Sequence, residues 1–184
     1  MGLENLGKIF DALSRGRHIC AVDGDLFESL NKAPGEYREL FKNLGFEMVS
    51  SSRGYYYFDG SAGRGLSNSV NRIALFVYIF IDHSADQGEG ITDAIGNGLH
   101  SLSTLPHLSS DRYRKYMQQV GVASADDLAD ILRQMDNFGF ARKIDEDQFT
   151  FLPPIYRIVE SCEAVIMAYS ADDDELTEGE EKHE

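Results

Sequence analysis

Tryptophan is absent from the 184 residues, cysteine occurs twice and proline four times. The two thiols, Cys20 and Cys162, lie far apart with no CxxC, so neither a disulfide framework nor a structural zinc site holds the chain together. No apolar run exceeds Ile73–Ile81, nine residues, about half of the ~20 needed to cross a bilayer. The N-terminus lacks a basic leader followed by an apolar stretch and a small-residue cleavage site, and the expected location is cytoplasmic. The five histidines, His18, His83, His100, His107 and His183, form neither HxH nor HExxH, which argues against metal. There is no GxSxG and no glycine-rich loop ending in GK[ST]. Gly60-Ser61-Ala62-Gly63-Arg64-Gly65 does not match GxGxxG and reads as a linker. With no reactive cluster in the chain, the expectation is a non-enzyme without a cofactor.

What is present is a globular body with an acidic end. Hydrophobic residues make up 42% and charged residues 26%, values of a chain that can bury a core. Seventeen basic residues face 31 acidic ones, for a net charge of −14. Between Ala171 and Glu184, eight acidic residues face the single Lys182. With Leu176 as its one large apolar group, that stretch cannot offset its ordering entropy and is expected to be disordered. The glycine-rich break at 60–65 places a domain boundary between residues 1–62 and 66–170.

Periodicity supplies the elements. Leu3, Leu6, Ile9, Phe10 and Leu13 recur at helical spacing. His18–Val22 reads as a short strand, and Leu26, Phe27 and Leu30 line a second helix. After Pro34-Gly35, Tyr37, Leu40, Phe41 and Leu44 line a third, stopped by Gly45. Phe46–Val49 and Tyr55–Phe58 then form a hairpin. The second half repeats the plan less clearly: a buried helix over Val70–Asp82, a weak one over Thr92–Leu102, a helix from Ser110-Asp111 to Val120, and another from Ser124 to Phe138 ended by Gly139. A hairpin of Phe140–Ile144 and Phe149–Leu152 follows, and a last helix begins at Pro153-Pro154. Helix, strand, helix, helix, hairpin is the order of a winged helix. The expected fold is α+β, mostly α: two tandem winged-helix domains with β-hairpin wings.

Winged helices commonly bind DNA, but the charges here oppose it. The helix Glu36–Leu44 is neutral, and Asp126–Phe138 sets Arg133 against Asp126, Asp127, Asp130 and Asp136, a net −3 that repels phosphate. The basic residues that could touch a DNA backbone within a larger assembly are Arg112, Arg114 and Lys115, with Arg142 and Lys143 on the wing of the same unit; the alternative is an ordinary solvated face. Tyr55, Tyr56, Tyr57 and Phe58 alternate between the two faces of one strand, so two of them leave the core. They either anchor a protein partner or pack on the neighbouring domain.

Leu13-Ser14-Arg15-Gly16-Arg17-His18-Ile19, then Phe46-Glu47-Met48-Val49, then Arg53-Gly54-Tyr55-Tyr56-Tyr57-Phe58, resembles the MukE/MksE family of condensin accessory subunits, with the shorter length favouring the MksE branch. The likeness extends over about residues 10–170. It implies a non-enzymatic, nucleoid-associated homodimer that binds a kleisin (MksF- or MukF-like) and regulates DNA loading by an SMC ATPase (MksB- or MukB-like), in chromosome organisation and segregation or in plasmid defence. Kleisin contact is expected at Arg15, Arg17 and His18 and at Tyr55, Tyr56, Tyr57 and Phe58, with DNA touched only within the complex. Where the family pattern would carry a basic pair just before Gly139, this chain has Asp136-Asn137. The competing readings are a winged-helix transcription regulator, which would bind DNA alone, and a small hydrolase, for which no nucleophile is found.

Overall fold

A computed structural model describes residues 2–60, 68–96 and 98–162. The boundary expected at 62–66, the acidic segment 171–184 and the end of the last helix lie outside these residues. The fold is α+β and mostly helical, with two three-stranded antiparallel sheets. No helix among the described residues is long and apolar enough to cross a membrane.

The first half runs α1 (Leu6–Ser14), β1 (Ile19–Cys20), α2 (Asp25–Lys32), α3 (Pro34–Asn43), β2 (Met48–Ser51) and β3 (Tyr55–Phe58). Pro34 opens α3 where a missing N–H costs nothing, and Gly45 takes the left-handed backbone just past its end, with φ of 84°. The sheet order is β1-β3-β2. Its core joins Ile9, Leu13, Ile19, Leu30, Tyr37, Phe41, Met48 and Tyr56. The hairpin begins two residues later than the sequence pattern suggests. Phe46 is the reason: its N–H bonds back to Phe41 O at 2.9 Å, and its ring stacks on Phe58 with centroids 5.0 Å apart, which holds it in the α3 turn. β1 stops at Cys20 because Ala21–Asp23 closes into a 3-10 turn.

The second half runs α4 (Asn68–Asp86), α5 (Ile91–Gly96), β4 (His100–Ser101), α6 (Pro106–Ser109), α7 (Asp111–Gln119), α8 (Ala125–Phe138), β5 (Ala141–Lys143) and β6 (Gln148–Phe151), then a helix, α9, over 155–162. The single helix expected over Thr92–Leu102 is corrected: it ends at Gly96, and Gly98 takes φ of 100°, which a continuing helix forbids. His100 and Ser101 then pair with Phe149 and Gln148 of β6. Asp147 secures that junction, accepting from the Ser101 hydroxyl and from the Ser103 N–H at 2.8 Å. α4 supplies Ile73, Phe76, Val77, Ile79 and Phe80 to a core shared with α8 and β6, which is why Ile73–Ile81 is so apolar.

Candidate functional site

The segment Arg15-Gly16-Arg17-His18, expected to meet a partner, is mostly engaged within the chain. A helix leaves its last four carbonyls without internal partners, and those of α8 end against this turn. The Arg17 guanidinium donates through Nη1 to Asp136 O at 2.9 Å and to Asn137 O at 3.2 Å. Both the backbone N–H of His18, at 2.9 Å, and its ring Nδ1, at 3.1 Å, meet Phe138 O. A cation at the negative end of a helix dipole adds to these bonds. Asp23 aims Arg17: its Oδ1 accepts from Nε and Nη2 at 3.1 and 2.7 Å, and its Oδ2 accepts the Cys20 N–H at 2.9 Å. Gly16, with φ of 86°, sets the turn with the Phe138 ring close by.

Gly139 completes the contact from the other side. It takes φ of 78°, and a Cβ built on it would lie 2.4 Å from His18 O. The close approach of the two halves therefore requires glycine here as much as the helix stop does. Its second role is not legible in the sequence.

His18 is the centre of the clasp. The Arg157 Nη1 lies 3.0 Å from its Nε2. Arginine only donates, so Nε2 accepts, and the ring proton sits on Nδ1 and goes to Phe138 O. Burial first, then the charge of Arg157, lower the His18 pKa to about 4. With both nitrogens engaged, the neutral ring has a positioning geometry rather than that of a free base. Its ring lies 4.7 Å from that of Phe140 and 5.3 Å from that of Tyr57. The Arg157 guanidinium covers Tyr57 at 4.1 Å from the ring centroid and reaches Asp59 at 3.7 Å. A cavity of about 520 Å³ opens beside His18, between Tyr57, Asp59, Phe138 and Arg157.

Both faces of the Tyr55–Phe58 strand meet other parts of the chain. Tyr56 and Phe58 belong to the first core, and the Tyr56 hydroxyl donates to Asn31 Oδ1 at 2.8 Å. Tyr55 and Tyr57 face the other way, but onto the second half: Tyr55 is buried with Cys20 and Leu152, and Tyr57 packs against them. Arg53 extends the contact to α9, with Glu160 at 3.2 Å and the Tyr156 ring at 4.1 Å. Of the seven residues expected at a partner surface, Arg15 stays largely in solvent, paired with Asp11 at 2.8 Å. The packing alternative that the sequence leaves open for the tyrosines is the one realised.

The basic residues fall on two elements. Arg112, Arg114 and Lys115 are exposed on α7. Arg112 pairs with Asp82 at 3.1 Å, and Arg114 with Asp111. Tyr113 between them donates to Asp82 at 2.8 Å, and burial with that carboxylate pushes its pKa up to about 12. Arg142 and Lys143 sit on β5; Arg142 reaches across to Val22 O at 3.3 Å, and Lys143 pairs with Glu146 at 2.8 Å. Acidic neighbours thus offset most of this charge locally. Among the described residues, no group of three or more His, Cys, Asp or Glu side chains could hold a metal ion.

The family model described as condensin complex protein MksE matches residues 4–163. No curated protein matches the chain.

Proposed function

The chain belongs to the MksE family of condensin complex proteins, and on that premise we propose that it binds the kleisin of a condensin and, through it, regulates DNA loading by the SMC ATPase. The observation that carries this reading is the family match, which covers both halves and the clasp between them. The order helix, strand, helix, helix, hairpin of the first half, matched in the second by α5, β4, α7, α8 and the β5–β6 hairpin with α4 and α6 added, supports two tandem winged helices. Their mutual packing through Arg17, His18 and Gly139 supports an adaptor that presents one composite surface. ATP hydrolysis then belongs to the SMC partner, and this subunit is non-enzymatic, takes no cofactor and acts as a homodimer on the nucleoid.

DNA contact is assigned to the assembled complex, with Arg112, Arg114 and Lys115 on the exposed side of α7 and Arg142 and Lys143 on β5 at the backbone. The −3 charge along α8 weighs against independent DNA binding, and with it against the transcription-regulator reading. Affinity purification of the tagged protein from its own cells, with mass spectrometry, tests the assignment. Recovery of a large coiled-coil ATPase and a kleisin is expected; an accompanying nuclease would indicate plasmid defence rather than chromosome maintenance. A protein recovered alone, together with a sequence-specific band shift by the isolated chain, would return the regulator reading.

A further inference from the structure

The free edge of the first sheet carries a second surface, remote from the clasp in its chemistry. The order β1-β3-β2 leaves β2 at one edge, with no strand beyond it among the described residues. Antiparallel residues alternate between pairs that exchange both hydrogen bonds and pairs that exchange none. Asp59 N–H donates to Glu47 O at 2.8 Å, so Val49 and Ser51, in the same phase and opposite Tyr57 and Tyr55, bond to β3. The N–H and C=O groups of Met48 and Ser50 therefore point to the open edge. An unpaired strand edge is a template for another strand unless it is covered or blocked, and no proline interrupts this one.

Beside that edge lies a groove of about 670 Å³ between α3 and β2. Its α3 wall is basic: Arg38 and Lys42 line it, both exposed, and neither forms an ion pair among the described residues. Leu44, 57% exposed, follows them at the end of α3. Glu47 is the one acidic lining residue, so the groove's charged lining stays net positive. Residues four apart on a helix stand ~6 Å apart. Alternate side chains of a strand stand ~7 Å apart. Carboxylates at alternate positions of an added strand thus match the spacing of Arg38 and Lys42.

We propose that β2 and α3 form a docking site for an extended acidic segment of a partner protein, which adds to the sheet as a strand beside Met48–Ser51 and sets alternate carboxylates against Arg38 and Lys42. A second copy of this chain fits less well, since a symmetric β2–β2 pairing would bring two such basic walls toward one edge. The assignment goes beyond the accessory-subunit reading and does not rest on it, because the peptide test below reads out whatever the purification recovers.

The probe is a fluorescent peptide of about eight residues alternating valine and aspartate, titrated against the full chain by polarisation at low and moderate salt. Binding is expected to weaken at least tenfold in R38E/K42E, at least tenfold for a valine–lysine peptide, and with rising salt. S50P removes an N–H that points away from β3 and is expected to weaken binding similarly. A peptide N-methylated at alternate residues tests strand pairing without touching the protein, and equal binding of the methylated and unmethylated peptides would overturn the added strand. Changes below twofold in R38E/K42E would overturn the charge match. Affinity that rises severalfold in D172N/D173N/D174N/E175Q would put the chain's own acidic segment in the groove and overturn the assignment to a partner. A dimer that S50P converts to monomer would do the same in favour of a second copy.

Discussion

At the residue scale the structure turns on two positions whose chemistry admits few substitutes. Gly139 holds a left-handed backbone, and its missing side chain leaves room for His18 O. Gly139→Ala combines backbone strain with a clash against a carbonyl that cannot move without breaking the α8 cap. A loss of about 2 to 3 kcal/mol is expected from urea denaturation, and a variant within 0.5 kcal/mol of the parent, a margin typical of unconstrained surface sites, would mean that the approach is not held. His18 gives a pH dependence. Its folded pKa, about 4, lies below its ordinary 6.5, so between these pH values the unfolded chain binds more protons and stability rises with pH. The contribution is complete above about pH 6.5 and is lost as pH falls toward 4, at most about 3 kcal/mol by linkage. His107 behaves alike: fully buried, stacked 4.3 Å from Phe76 and bonded to Phe76 O at 2.9 Å, it is also lowered to about 4. His18→Gln keeps a donor and an acceptor but cannot titrate. Stability measured at pH 7 and pH 4.5 should therefore fall less in this variant than in the parent, and an unchanged difference would remove His18 from the acid response.

At the element scale, helix ends decide how much of this molecule can be read from its sequence. α8 is the clearest case: Ser124 Oγ accepts the Asp127 N–H at 3.2 Å while Asp127 Oδ2 accepts the Ser124 N–H at 2.9 Å. That reciprocal box is visible as Ser-x-x-Asp before an apolar period. These bonds, with the Ala123 N–H foremost, hold the Asp127 carboxyl below its usual range. Ser124→Ala should cost about 1 kcal/mol in a thermal or urea melt, and no change would show that the box adds nothing beyond propensity. The other end of α8 shows why legibility stops. Gly139 announces a helix stop, but the partners of the last carbonyls lie about 120 residues back, at Arg17 and His18, and no local pattern encodes a pairing so distant. For the same reason Tyr55–Phe58 could be read as a strand with two aromatic faces, while the covering of the second face by α9 could not. β4 escaped notice because two residues, His100-Ser101, are too few to show a period of two, and its pairing with β6 is again long-range. The basic side chains are legible as charge, and Asp111, three residues before Arg114, is a local partner, but Asp82 becomes a neighbour of Arg112 only when α4 and α7 are packed.

For the whole molecule the clasp decides whether two halves act as one. The first half has a small core, with eight buried residues in its main cluster, and a unit of about 60 residues is marginal alone because it buries a smaller fraction of its surface. Its sheet buries Tyr55 and Cys20 against Leu152 of the second half and half-buries Tyr57 there beneath Arg157. Removing Arg17 frees the α8 carbonyls and leaves Asp23, 9% exposed, without its cation. Arg17→Ala should therefore separate one unfolding transition into two, with the first half melting earlier. Arg17→Lys should do so only partly, because an ammonium cannot span Asp23 and two carbonyls as a planar fork does. The consequence for assembly follows from population. If the partner grips a surface made by both halves, a variant that holds the joined arrangement one-tenth of the time binds about tenfold more weakly, with each half still folded. Affinity for the proposed kleisin partner, measured at a temperature below both transitions, should fall by about that factor in Arg17→Ala and recover partly in Arg17→Lys. Equal affinity in all three proteins would place the kleisin on one half alone and leave the clasp a purely stabilising role.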